Sequence, residues 1–362
     1  MAKELIINSV ETFEEALPVI REAQAEYATF TQEQVDAICE HVAMQVSKMR
    51  IPLAKMAHDE TGYGIVVDKV TKNQYAAEYT WNYMRGKKSC GIIEENKAFR
   101  TKRIASPKGV IAAIIPTTNP TSTCIYKVLM ALKTRNAIVV SPHPNAKNCT
   151  IAAAKIMKEA AIECGMPENV ITWVDQPSLE ISAVMMDKVD LILATGGEAM
   201  VHAAYSSGTP AIGVGPGNCN VVIDETADLR MAVESIIHSK TFDNGMICAS
   251  EQHITVLKSV YKEVKALMKE ARCYFLSKDE ADKVANVFFN PATHGVKAPA
   301  VGQTAVRLAE MAGIEVPPET KVLVYETDDT SHDNAWANEK LCTLLGMFKA
   351  NDLDEAFDIC EK

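Results

Sequence analysis

The sequence has no pair of cysteines spaced as CxxC, although cysteine occurs ten times, at 39, 90, 124, 149, 164, 219, 248, 273, 342 and 360. That removes the usual frames for a structural zinc or a redox dithiol, and no metal site is expected. Wide, irregular spacing reads as reduced, mostly buried thiols of a cytoplasmic protein, of which at most one or two are chemically special. Positive charge is also in deficit. Lys and Arg total 37 against 47 Asp and Glu, a net charge of -10, so a nucleic-acid backbone is excluded as the main partner. No apolar run approaches the roughly 18–20 residues that span a bilayer, and no membrane partner is expected. Met1 to Val10 lacks a basic region followed by an apolar stretch, so no secretory signal is read there. Internal repeats and low-complexity segments are absent.

What is present is the balance of an ordinary globular enzyme. Apolar residues make up 48% and charged residues 23% of 362 residues, enough chain for two packed domains. Residues 10–60 read as helical, with a capping box of Thr31 and Gln34. The helical pattern continues over 61–88, with Tyr75, Tyr79 and Trp81 expected to pack inward. Residues 90–108 read as a hairpin. From Val110 the pattern alternates: apolar runs at 110–115, 137–140, 170–174 and 191–194 are separated by helices. Gly165 and Pro167 stop the second of these helices. Such alternation implies a parallel sheet covered on both faces. Ligands then bind beyond the carboxyl ends of the strands, at 116–119, 141–144, 175–176 and 195–197. A second unit starts near Val221–Ile223 with strands expected at 253–257 and 321–325, and a last helix begins near Leu353.

Four short motifs carry candidate chemistry. Asn244-Gly245-Met246-Ile247-Cys248-Ala249-Ser250 sets a glycine three residues before a cysteine among small residues. That leaves room for a thiolate with backbone N–H groups facing an oxyanion; a buried cysteine in a tight turn gives the same pattern. Pro116-Thr117-Thr118-Asn119-Pro120 offers a side-chain amide as oxyanion donor, or simply a turn. Ala194-Thr195-Gly196-Gly197 can cradle a phosphate at a helix start, although it is not a GxGxxG fingerprint. Gly213-Val214-Gly215-Pro216-Gly217-Asn218 is a loop that backbone or ligand can approach closely.

Together with Phe30–Asp36, Ile51–Ala57, Leu132–Ala137, Ser141-Pro142-His143-Pro144, Lys240–Glu251 and Glu339-Lys340-Leu341, these blocks resemble the aldehyde dehydrogenases. Within them they are most like the CoA-acylating branch and the amino-terminal half of bifunctional aldehyde-alcohol dehydrogenases. The resemblance implies an α/β fold with a parallel Rossmann-type sheet domain plus a second α/β catalytic domain. Residues 1–238 would form the NAD-binding domain, with an oligomerisation hairpin near 90–108, and 239–362 an incomplete catalytic domain. It implies Cys248 as nucleophile and Asn119 as oxyanion amide. The cofactor NAD would be held by Thr117, Ser141, His143, Thr195, Gly196, Gly197, Val214, Gly215 and Glu339.

The partners implied are a small aldehyde and coenzyme A as co-substrate, in a homo-oligomer when the protein is complete. The place implied is the cytoplasm, or within it a bacterial microcompartment. Hydrolytic relatives carry a general-base glutamate in a Glu-Leu-Gly-Gly block, and Gly213 stands at its position. Loss of such a base, which contributes about 10²–10⁴-fold, lets a thioester on Cys248 persist until a thiol displaces it. Acetaldehyde is the expected substrate, with propionaldehyde or sulfoacetaldehyde as alternatives. Cys342-Thr343 departs from the Ser-Pro usual after Leu341 in the bifunctional enzymes. The family also continues past Lys362, so a truncated chain is expected, poorly soluble or inactive at this length. The other readings are a hydrolytic dehydrogenase, an inactive paralogue, and a redox sensor. The last is disfavoured for want of a resolving cysteine near Cys248.

Overall fold

A computed structural model describes residues 5–331 and 333–361; residues 1–4, with which the amino-terminal segment begins, and Lys362 lie outside it. The chain divides into two compact units. The first holds Met1–Gly62 and Val66–Gly215, and the second Tyr63–Ile65 and Pro216–Lys362.

Unit 1 begins with α1 (Val10–Tyr27), α2 (Gln32–Lys48), α3 (Arg50–Thr61) and α4 (Val66–Gln74). Thr31 and Gln34 close the expected capping box on α2. A π-helical segment, Tyr75–Tyr79, then leads into α5 (Thr80–Met84). Trp81 is buried as expected, but Tyr75 and Tyr79 are exposed. They stack on each other outside, ring centroids 5.4 Å apart. The wide turn breaks the 3.6-residue period on which the inward assignment rested. Strands β1 (Gly91–Asn96) and β2 (Thr101–Ala105) form the expected antiparallel hairpin.

The rest of unit 1 alternates β3 (Val110–Ile114), α6 (Pro120–Lys133), β4 (Ala137–Ser141), α7 (Lys147–Glu163), β5 (Ile171–Trp173), α8 (Leu179–Lys188), β6 (Leu191–Thr195), α9 (Glu198–Ser206) and β7 (Ala211–Val214). The sheet is parallel, in the order β5-β4-β3-β6-β7. Strand β3 shows how both faces are used. Ile111 and Ala113 join a core with residues of α2, α6 and α7, such as Val42, Leu129 and Met157. Val110, Ala112 and Ile114 face the other way, toward Phe13, Ile20, Ile181 and Met185 of α1 and α8. A continuous apolar run is what two buried faces require. The edge strand β7, read in the sequence only as loop, adds the fifth strand. Its glycine and exposed positions hide the strand pattern.

Unit 2 runs β8 (Cys219–Ile223), α10 (Leu229–Thr241), β9 (Glu251–Leu257), α11 (Tyr261–Glu270), β10 (Cys273–Phe275), α12 (Lys278–Phe288), α13 (Ala305–Met311), β11 (Val322–Glu326), β12 (Leu344–Ala350) and α14 (Leu353–Glu361). Its sheet is also parallel, ordered β10-β11-β12-β9-β8. Val324, Leu345, Met347, Ile254 and Val256 pack against α10 and α11, and Leu323 and Leu344 lie in the core with Phe288 and Trp336. No helix among the described residues is long and apolar enough to cross a membrane.

Candidate functional site

In the first sheet the chain steps from β3 outward to β4 and β5, then returns to the other side of β3 for β6 and β7. The direction reverses between β3 and β6, and there the connections diverge and open a crevice at the carboxyl ends. Thr117 and Asn119 follow β3. Ser141 closes β4, and His143 comes next. Thr195, Gly196 and Gly197 follow β6, and Val214 and Gly215 end β7. Every unit 1 residue assigned from the resemblance therefore sits on one edge of one sheet. The Gly196 N–H donates to the Val214 carbonyl at 3.3 Å, tying the last two turns together. Gly197 starts α9 at its N-cap, and a Cβ there would meet nothing within 4 Å. That open backbone at a helix start fits a pyrophosphate. Partial desolvation holds His143 below its ordinary pKa.

Asn119 is the N-cap of α6, with Pro120 at the first helical position. An N-cap asparagine ordinarily turns its side chain onto its own helix. Here it makes no capping bond. Its Oδ1 accepts from Lys72 Nζ at 2.7 Å, and its Nδ2 donates to Thr118 Oγ1 at 3.3 Å.

In unit 2 the assigned residues lie at the opposite end of the strands. Gly217 precedes β8, Cys248 precedes β9 and Glu339 precedes β12, and these three strands are neighbours in the sheet. The Gly217 N–H donates to Glu339 Oε1 at 3.0 Å. A Cβ on Gly217 would stand 2.2 Å from the carbonyl oxygen of Cys248, so only glycine permits this approach. Cys248 itself is exposed. Cys219 Sγ lies 3.5 Å from the Cys248 carbonyl oxygen. A second thiol does stand beside Cys248, contrary to the sequence reading, because β8 pairs with β9 and erases the separation along the chain.

The turn leading to Cys248 is unusual. Asp243, Asn244 and Gly245 are consecutive left-handed residues, with φ of 49°, 54° and 75°. Each non-glycine in that region costs about 1–2 kcal/mol, so other contacts must hold it. Asp243 Oδ1 accepts from the Ile65 N–H at 2.6 Å, and Asn244 Nδ2 donates to the Gly302 carbonyl at 2.8 Å. A Cβ on Gly245 would stand 2.6 Å from the Cys342 carbonyl oxygen. Sequence reasoning picked out the motif that begins with Asn244 and Gly245 but not Asp243, Gly302 or the 63–65 segment, since nothing local links them.

Two buried lysines stand behind this region. The Lys340 N–H donates to Gln252 Oε1 at 2.9 Å, and Lys340 Nζ to the carbonyls of Trp336 and Asn338 at 2.8 and 2.7 Å. Lys240 Nζ reaches Gln252 Oε1 at 3.4 Å. Burial brings Lys240 down to about 8 and holds Lys340 well below its ordinary range. Burial also raises the Glu339 carboxyl, against the Gly217 N–H and the two lysines, which pull it down. Among the described residues no group of three or more His, Cys, Asp or Glu could hold a metal ion. A groove of about 560 Å³ between α10 and α11 lies elsewhere and includes no cysteine.

Gly213, at the position of the hydrolytic base, lies in β7 and is covered by Tyr205. The Gly213 N–H donates to the Tyr205 hydroxyl at 2.9 Å. A Cβ there would come within 2.7 Å of Val201 Cγ1 and 2.8 Å of Tyr205 Cε2. The position not only lacks a carboxylate but is filled by a ring.

The described geometry can be set beside known proteins. A family model described as "Aldehyde dehydrogenase family" matches residues 7–315. The aldehyde-alcohol dehydrogenase of Clostridium acetobutylicum is 50% identical over 350 residues, covering 97% of this chain and 40% of that protein. The chain thus spans well under half the length of that curated relative. The succinate-semialdehyde dehydrogenase (acetylating) of Clostridium kluyveri is 34% identical, over 96% of this chain and 77% of its own length. An acetylating aldehyde dehydrogenase structure from Geobacillus thermoglucosidasius superposes with a TM-score of 0.94 at 42% identity, covering 98% of this chain and 78% of the other.

Proposed function

The chain belongs to the aldehyde dehydrogenase family, in its CoA-acylating branch, and on that premise we propose that it oxidises a short-chain aldehyde, acetaldehyde first, to the acyl-CoA with NAD. In this reading the Cys248 thiolate adds to the aldehyde carbon. The Asn119 amide and the Cys248 N–H donate to the oxyanion that forms. Bound NAD supplies the acceptor for the hydride that leaves the same carbon. Thr117, Ser141, His143, Thr195, Gly196, Gly197, Val214 and Gly215 would hold that cofactor, and Glu339 would bind its nicotinamide ribose. The carbon is left as a thioester on Cys248. Coenzyme A, as a thiol nucleophile, attacks it and releases the Cys248 thiolate. One thioester replaces another, so the sequence also runs in reverse. The reading places the enzyme in the cytoplasm as a homo-oligomer.

The observation that carries the acylating reading is Gly213, at the place that the resemblance gives to the water-activating carboxylate, with Tyr205 packed where a side chain would start. The test is NADH formation from acetaldehyde, with and without CoA, alongside propionaldehyde and sulfoacetaldehyde. Formation that requires CoA and is fastest with acetaldehyde is expected, and Cys248→Ser abolishes it while NAD still binds. Equal rates without CoA would make the enzyme hydrolytic. Turnover by the serine variant would remove Cys248 from its role.

A further inference from the structure

We infer that Lys72 is a positioning residue for the oxyanion-binding amide, an assignment that rests on the reading of Asn119 given above. An ammonium carries only donors, so the atom it meets at 2.7 Å must be the amide oxygen. Lys72 thereby settles which end of the Asn119 amide is oxygen and leaves Nδ2 as the donor. Charge on Lys72 also polarises the amide, drawing electrons toward Oδ1 and strengthening Nδ2–H as a donor.

The neighbourhood is built to hold this pair. Asn73, next to Lys72 on α4, accepts from Thr121 Oγ1 at 2.8 Å through Oδ1, and donates from Nδ2 to the Arg50 carbonyl at 3.1 Å. Asn73 and Thr121 are almost wholly buried. Two successive residues of α4 therefore grip residues 119 and 121 at the start of α6. A cavity of about 10 Å³ beside Lys72, Asn73, Asn119 and Thr121 has space for at most about one water. A capping role for Asn119 would need no lysine, and Asn119 does not cap.

The experiment is a double-mutant cycle of Lys72→Met and Asn119→Ala, read as kcat and KM for acetaldehyde with CoA. Loss of one oxyanion donor lowers kcat about 10²–10³-fold, and that is expected of Asn119→Ala. Lys72→Met is expected to lower kcat about tenfold or more, with KM and NAD binding little changed. Added to Asn119→Ala it costs almost nothing further, because it acts through the amide. Lys72→Arg, which keeps charge and donor, restores part of the rate. Should Lys72→Met fold poorly, Lys72→Gln serves in its place, keeping a neutral donor. Full activity of Asn119→Ala would sink the oxyanion reading itself. Loss in Asn119→Ala with normal kcat in Lys72→Met, or additive losses in the double variant, would overturn the Lys72 assignment alone.

Discussion

Gly217 and Cys248, from the segments that lead into two neighbouring strands of one sheet, approach so closely that a single methyl group on the glycine would overlap the cysteine carbonyl, at 2.2 Å. Gly217→Ala must therefore displace the Cys248 backbone, and a shift of about 1 Å in reacting atoms costs about 10²-fold. The expected outcome is a loss of that order in the acylation of Cys248 by acetyl-CoA, followed by mass spectrometry. Unimpaired acylation of the alanine variant would mean that the loop yields without consequence.

Gly213→Glu restores the residue type of the hydrolytic enzymes but not their chemistry. Its Cβ would press into Val201 and Tyr205, and such overpacking costs about 1–3 kcal/mol. A lower melting temperature is expected, with no NADH formed in the absence of CoA. If the variant hydrolysed its thioester, the Tyr205 ring would not be the obstacle described above.

His253 of β9 should make the protein acid-sensitive. It is buried, with its ring edge-on to Phe348 at 5.0 Å. Burial, and then the charge of Lys340, lower its pKa to about 4. Unfolded histidine titrates near 6.5, so the folded value is depressed. The associated stability is present above about pH 6.5 and is lost as pH falls toward 4, in all roughly 3 kcal/mol. His253→Leu is expected to lose less stability than the parent in urea melts taken at pH 7 and at pH 4.5. Parallel losses in the two proteins would assign the acid sensitivity to other groups.

Much of this was legible along the chain, and the failures share one cause. The apolar runs at 110–115 and 137–140 predict strands because both faces are buried, and the pattern needs no partner to be read. Cys248 and Asn119 are legible as motifs because glycine and proline mark the turns around them. Tyr75 and Tyr79 were misread because a π turn changes the period while leaving the composition unchanged. Tyr205 over Gly213, Cys219 beside Cys248 and Lys72 on Asn119 are pairings across the fold. No local pattern encodes them, since sheet order and helix packing create them.

Cys248 and Glu339 hang from β9 and β12, whose register runs from Gly346 opposite His253 to Ala350 opposite Leu257. Adjacent strands stand about 4.8 Å apart by peptide geometry alone. The two strands into which the loops of Cys248 and Glu339 lead are thus held at a spacing set by the polypeptide backbone. Substrate preference can drift through the side chains of these loops for as long as the ladder beneath them stays unbroken.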